Sequence, residues 1–238
     1  MRKVLSFLEG IYLAIKLWAI TTQWLRVIKI AVCSMVTVLL IFLCAAMLYN
    51  EAGAFTISFI PRDGDGGVAL SLSESADFAS PTVKLNANGG VRMTNISGDW
   101  LPSGLDSVDG SHNGENYIAY TFYAKNASDD ACVLKEEFKI ESSVKGAEAA
   151  IRIRVYKNGK AVTYAKIGAD GAPEFGTKAF ESDTVAYSAT EAQFESGQIN
   201  KYTLVIWLEG DDPECLDNIK GGNVKMSMNF TVEEIPRE

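Results

Sequence analysis

The chain has 238 residues, 22 Lys and Arg against 30 Asp and Glu, one histidine and four cysteines. The first 49 residues hold five of the cations and one acid, so the remainder carries 17 cations against 29 acids. That balance excludes nucleic acid as a ligand, because phosphate binding needs clustered cations, and it favours a domain facing water, wall polymer or cations.

Residues 1–29 repeat apolar side chains near helical spacing (Val4, Leu5, Phe7, Leu8, Ile11, Tyr12, Ile15, Trp18, Leu25), with Glu9 and Lys16 among them. Placing those charges at bilayer depth costs roughly 2.5–3.5 kcal/mol each, so the segment reads as a cytoplasmic, interfacial amphipathic helix, with a helical hairpin or a disordered leader as the alternatives. Residues 30–49 are then uncharged from Ile30 to Tyr49. Twenty residues of helix span about 30 Å, the thickness of a bilayer core, which predicts a transmembrane or signal helix. Arg2, Lys3, Lys16, Arg26 and Lys29 precede it, and the positive-inside bias puts everything after Asn50 outside the cell. Residues 50–54 form a linker in which Ala52-Gly53-Ala54 offers small residues to a signal peptidase, with cleavage after Ala54. A retained anchor and a cleaved signal both fit; the expected location is the cell membrane with an extracellular C-terminal domain, or the cell surface after release.

From residue 55 to 238 the hydrophobic period changes from helical to two, predicting one extracellular domain. Phe55, Ile57 and Phe59 alternate with Thr56, Ser58 and Ile60; Val68, Leu70 and Leu72 alternate with small polar residues. Further strands are predicted at 82–85, 117–124, with apolar residues on both faces, 133–140, 151–156, 161–167, 185–187, 202–208 and 224–232. Asn158-Gly159 between two alternating runs predicts a type I′ hairpin, because both central residues need positive φ. About 9–10 short strands between Gly, Asp, Asn and Ser clusters describe an all-β, antiparallel two-sheet sandwich, with jelly-roll connections as one variant.

Chemistry-bearing motifs are sparse. His112 lies in Asp109-Gly110-Ser111-His112-Asn113-Gly114, a turn composition, and a lone histidine rules out any site needing two. No phosphate-binding Gly-rich loop and no Cys-x-x-Cys occurs, so no catalytic residues are assigned and no enzyme activity is expected. Calcium is the one cofactor with candidates: Asp63 and Asp65 in Asp-Gly-Asp-Gly-Gly, and Asp211, Asp212 and Glu214 after the 202–208 strand. Turn chemistry and solubility are the simpler explanation of both clusters, and neither supplies a full ligand set. Cys132 and Cys215, the only cysteines beyond the span, suggest a disulfide closing a loop of about 84 residues, stabilising by roughly 4 kcal/mol; two free thiols are the alternative.

The run 202–215 (YTLVIWLEGDDPEC), followed by Gly221-Gly222 and the alternating strand to Val232, resembles the C-terminal signature of cell-envelope proteins of Gram-positive (Firmicutes, Clostridia) bacteria. Those are similar to the TasA and camelysin group of exported β-sandwich proteins, one of which forms matrix fibres. Residues 116–122 and 150–156 support the resemblance more weakly. Ala54-Phe55-Thr56-Ile57 departs from the group's aromatic, Ser/Thr, Asp run. The resemblance implies a structural or adhesive role, with a matrix-fibre subunit as one form of it. The expected mechanism is strand addition, in which an exposed edge carrying Phe55, Ile57 and Phe59 pairs with a neighbouring copy, the alternative being that this segment completes its own sandwich; the partners are other copies or wall components. The alternative is a membrane-tethered module binding wall glycan, for which Trp100 and the aromatics of 117–123 are the sequence hints.

Overall fold

The computed structural model describes residues 12–13, 24–44, 55–59, 70–87 and 93–235. They fall in two units, residues 1–50 and 51–238. In the first, helix α1 (Trp24–Cys44) starts six residues before the uncharged run and includes Arg26 and Lys29. A cation ends an apolar run without ending a helix, since its methylene stem stays on the helix and the head reaches the headgroup region. Leu39, Ile41 and Phe42 are exposed. The two hydroxyls Ser34 and Thr37 donate back to the carbonyls of Ala31 and Cys33, which leaves no unpaired hydroxyl donor there for lipid. One N-terminal apolar helix thus fits a signal anchor or membrane span. The predicted interfacial helix lies almost wholly outside the described residues, as do residues 45–54 and the Ala54 cleavage site.

The second unit is mostly strand: β1 (Phe55–Phe59), β2 (Leu70–Ser73), β3 (Lys84–Ala87), β4 (Gly110–Ser111), β5 (Tyr117–Asn126), β6 (Cys132–Val144), β7 (Ile151–Lys157), β8 (Lys160–Ala165), β9 (Lys178–Ala179), β10 (Val185–Phe194), β11 (Ile199–Leu208) and β12 (Asn223–Glu234). One sheet runs β10-β6-β12-β1-β3; the other runs β2-β5-β11-β7-β8-β9, with β4 also on β5. Neither closes. The expectation of purely antiparallel sheets is corrected: β1 pairs in parallel with β12, Phe55 opposite Met226 through Phe59 opposite Phe230, and β8 pairs in parallel with β9. Alternation sets which face a strand buries and is blind to direction, so two strands at opposite ends of the domain sequence give no local sign of pairing in parallel.

Residues of both sheets share one apolar core. Phe122 stacks on Tyr202 at 5.2 Å in one sheet, and both meet Phe230 of the other edge-on, at 5.9 and 5.3 Å between centroids. Phe55 stacks on Phe138 at 5.3 Å, and Tyr164 of β8 stacks on Tyr187 of β10 at 4.9 Å. Each such ring contributes roughly 1.5–3 kcal/mol by burial. A smaller cluster of Leu105, Ala119, Val205 and Trp207 covers the outer face of β5 and β11, which explains why 117–124 is apolar on both faces. The β7–β8 hairpin turns through Asn158 and Gly159 at φ of 50° and 78°, as the Asn-Gly pair predicts.

Candidate functional site

The segment expected as a free donor edge completes its own sheet here: strand β1 pairs on both sides, with β12 and with the edge strand β3. Its backbone forms ladders on both sides, with Phe55 and Ile57 buried and Phe59 half-buried. On the opposite face Ser58 Oγ donates to Asn229 Oδ1 (2.9 Å). Among the described residues the edges of this sheet are β3 and β10. The β3 edge is four residues long and carries Lys84. The β10 edge is guarded by Glu181, whose carboxylate accepts from the backbone N–H and the hydroxyl of Ser188. Short edges, charge and side-chain caps are the usual protections against uncontrolled strand pairing.

The acidic loop after β11 meets a buried cation. Arg152 of β7 lies 2.6 Å from Asp212 and 3.2 Å from Glu174, and the side chains of Arg152 and Asp212 are nearly inaccessible. Glu174, Asp212 and Glu214 bring carboxylate oxygens within 4.8 Å of one another. Glu214 also accepts the N–H of Ala169 at 2.8 Å, which ties the loop between β8 and β9 to the loop after β11. Burial, then the hydrogen bond with Glu214, holds Asp212 above its ordinary value, while Arg152 pulls it down. Glu214 is held below its ordinary value, chiefly by that same hydrogen bond. Of the sequence candidates for calcium, Asp212 and Glu214 therefore come together, Glu174 joins them, and Asp211 is left exposed. Glu174 has no signal in the sequence, since it sits in a Gly-rich loop remote along the chain. A guanidinium already occupies the cluster, paired with Asp212 and Glu174, and the arrangement reads as a clamp between loops. Asp63 and Asp65 lie outside the described residues.

A second polar cluster lies between the sheets at the other end of β11. Lys157, the last residue of β7, places Nζ 3.0 Å from Glu136 Oε1 and 2.9 Å from Glu191 Oε2. Asn200 Nδ2 donates to the same Glu191 oxygen at 2.8 Å, and Asn158 Nδ2 donates to Asn200 Oδ1 at 2.8 Å. Glu136 is 3% exposed and Asn200 1%. Burial pushes Glu136 above the usual carboxylate range, with Lys157 opposing. The two carboxylates together outweigh burial and hold the Lys157 ammonium above its ordinary value. Burial, then the Glu136 carboxylate, holds the Tyr202 hydroxyl well above its ordinary value. Lys157 reads as a turn residue in sequence, and only the register that sets it opposite Tyr202 turns it inward.

The expected disulfide is corrected: Cys132 and Cys215 are free thiols. Cys132 opens β6 opposite Phe194 and Glu234, at the end of the sheets where β11 begins, whereas Cys215 follows the end of β11. Ten strand residues separate the two ends by about 30 Å, and a disulfide needs Cα atoms within about 7 Å. Burial raises both thiols. The His112 ring nitrogens face the carbonyl oxygens of Gly110 (2.9 Å) and Leu105 (2.8 Å), so the ring ties the loop to β4. Trp100 is exposed, while Tyr120, Phe122 and Tyr123 are buried.

No family model matches the chain. No curated protein matches it either. Among solved structures, two β-glucosidase structures from Kluyveromyces marxianus align at 12% identity. The complex with glucose covers 50% of this chain and 13% of its own, at a TM-score of 0.23; the second covers 67% and 14%, at 0.21. Likeness at that level carries no argument about fold or activity.

Proposed function

We propose that this chain is a cell-envelope protein, anchored in or exported across the membrane by α1, with a structural or adhesive role. Its strand unit is a two-sheet sandwich. Copies assemble by strand addition, β1 of one copy taking the place of β1 in the next, between β12 and β3. The observation that supports the reading is the position of β1: among the described residues it is the first strand after α1, yet it lies inside a sheet, between β12 and the edge strand β3. Main-chain ladders on both flanks, with Phe55 and Ile57 in core pockets, are the recognition mode of an added strand, in which the backbone supplies affinity and alternate side chains supply register. The TasA and camelysin resemblance points the same way.

The test uses residues 55–238 and a truncation beginning at Gly64. The full domain is expected to form fibres or oligomers in negative stain. The truncation should stay unassembled and bind a synthetic peptide of residues 54–60. A truncation that still polymerises removes β1 as the donor, and a full domain that stays monomeric at high concentration removes the assembly reading.

A second reading rests on a different observation. A shallow groove of 550 Å³ on the outer face of the β1 sheet is lined by Thr56, Ser58, Ser142, Ser227 and Asn229 with Lys84, Lys225 and Glu141. Its hydroxyl and amide groups suit a wall glycan, and binding of glycan fragments would be read by chemical-shift changes confined to those residues.

A further inference from the structure

We propose that Lys157 and Asn200 become joined by an intramolecular isopeptide bond after folding, with Glu191 and Glu136 moving the protons. Lys157 lies opposite Tyr202 on β11, so its side chain enters the inter-sheet space on the face that Tyr202 uses. Asn200, two residues earlier on β11, is its diagonal neighbour, within reach of a long side chain. The two nitrogens that would exchange places share one oxygen: Glu191 Oε2 is 2.9 Å from Lys157 Nζ and 2.8 Å from Asn200 Nδ2. A general base must touch the nucleophile and a general acid the leaving group, and here a single carboxylate oxygen touches both.

The remaining groups fit the same step. The Asn158 amide donates to Asn200 Oδ1, the atom on which negative charge develops when the carbonyl carbon is attacked. Glu136, buried between the sheets, lies 3.0 Å from Nζ. Burial raises its proton affinity above that of an ordinary carboxylate, so it can accept the ammonium's proton in the minor form that carries the free amine. The ring of Tyr202 backs Nζ at 5.7 Å, keeping bulk water from that side.

The reaction balances without a co-reactant. Lys157 gives one proton to Glu136, and the neutral amine forms a bond to Asn200 Cγ. A second proton passes from Nζ through Glu191 Oε2 to Nδ2. The Cγ–Nδ2 bond breaks, ammonia leaves, and it carries off the proton held by Glu136. The product is a secondary amide. Because two carboxylates favour the charged ammonium, the reactive amine is the minor form and the step is slow. One turnover per molecule is all it needs, and loss of ammonia to solution makes it one-way.

The test is a peptide map of the full-length protein, purified from membranes, denatured and digested with trypsin. The expected result is a branched peptide joining the segments that contain Lys157 and Asn200, lighter than the two by one ammonia, with no cleavage after Lys157. Glu191→Gln and Glu136→Gln are expected to fold, by circular dichroism, and to give separate linear peptides; Asn200→Asp should restore the bridge with loss of water. Wild-type protein that stays folded through prolonged incubation and still yields two unlinked peptides overturns the proposal, as does a bridge that survives both Glu→Gln changes. The map reads a bond within one chain, so its outcome is independent of whether copies polymerise.

Discussion

Arg152→Met isolates what the buried clamp contributes. Methionine keeps the apolar stem and removes the charge, leaving Asp212 buried opposite nothing positive and Glu174 without its partner. Removing one member of a buried ion pair typically costs about 3–5 kcal/mol. In a domain of this size each kcal/mol moves the midpoint by about 2–4 °C, so thermal unfolding of residues 55–238 should shift down by about 10 °C at pH 7. The pH dependence has a definite sign. A carboxyl whose folded pKa is raised binds more protons folded than unfolded, so stability falls as pH rises from its ordinary value of 3.8 through the raised value. With Arg152 gone Asp212 rises further, so the gap between variant and wild type should be full near neutrality and narrow as pH falls towards 4. Asp212→Asn added to Arg152→Met should recover part of the loss, a coupling measured as a double-mutant cycle. In wild type a chelator should leave the melt unchanged, whereas the variant, with three carboxylates uncompensated, should gain stability from added calcium. A variant that melts within about 2 °C of wild type at pH 7 would refute the clamp, since surface pairs are worth that little.

Phe230→Ala removes a ring wedged against Phe122 and Tyr202 across the two sheets, and should cost about 3–5 kcal/mol by urea denaturation. Gly159→Ala places a Cβ at φ 78°, where glycine alone is unstrained, and should cost about 1 kcal/mol in the same assay. Burial, then the hydrogen bond it donates to Asp109 at 2.7 Å, pushes the Tyr123 hydroxyl up to about 12; absorbance titration should show a tyrosine ionising there, absent in Tyr123→Phe, and Asp109→Asn should lower it only in part because burial remains.

Local rules carried the sequence reading as far as local causes reach. The Asn158-Gly159 hairpin, the doubly covered β5, and the inward Val224, Met226, Met228 and Phe230 of β12 follow from turn chemistry and alternation alone. The strand predicted at 185–187 extends to Phe194 because Ser188, Ala189 and Thr190 lie on an exposed edge, where burial no longer enforces a pattern. Strands β4 and β9 are two residues each, below the length at which a period can be counted. The charged sites were hidden for a different reason. Arg152 alternates with Ile151 and Ile153 as a solvent-facing residue should, but the 168–176 and 211–216 loops cover that end of β7 and bury it. The pattern gives the face of the sheet, and long-range loops decide whether that face meets water.

The position of β1 also sets how strand exchange would proceed. Withdrawing β1 uncovers Phe55 and Ile57, each worth roughly 1.5–3 kcal/mol, and opens one flank of β12 along five residue pairs. It also strips β3 of its only partner strand among the described residues. A donated β1 restores the same contacts in the next copy. Exchange is thus close to neutral in contact energy and opposed by a barrier of local unfolding. At low concentration the intramolecular strand wins by its high effective concentration, the connection to β2 being ten residues long. On the proposed reading, assembly would depend on crowding copies together, which a retained membrane anchor would do by confining them to one surface. A covalent tie between β7 and β11 acts elsewhere in the domain, on the sheet that does not contain β1. It would hold that sheet intact while the other opens, so that strand exchange need not become global unfolding.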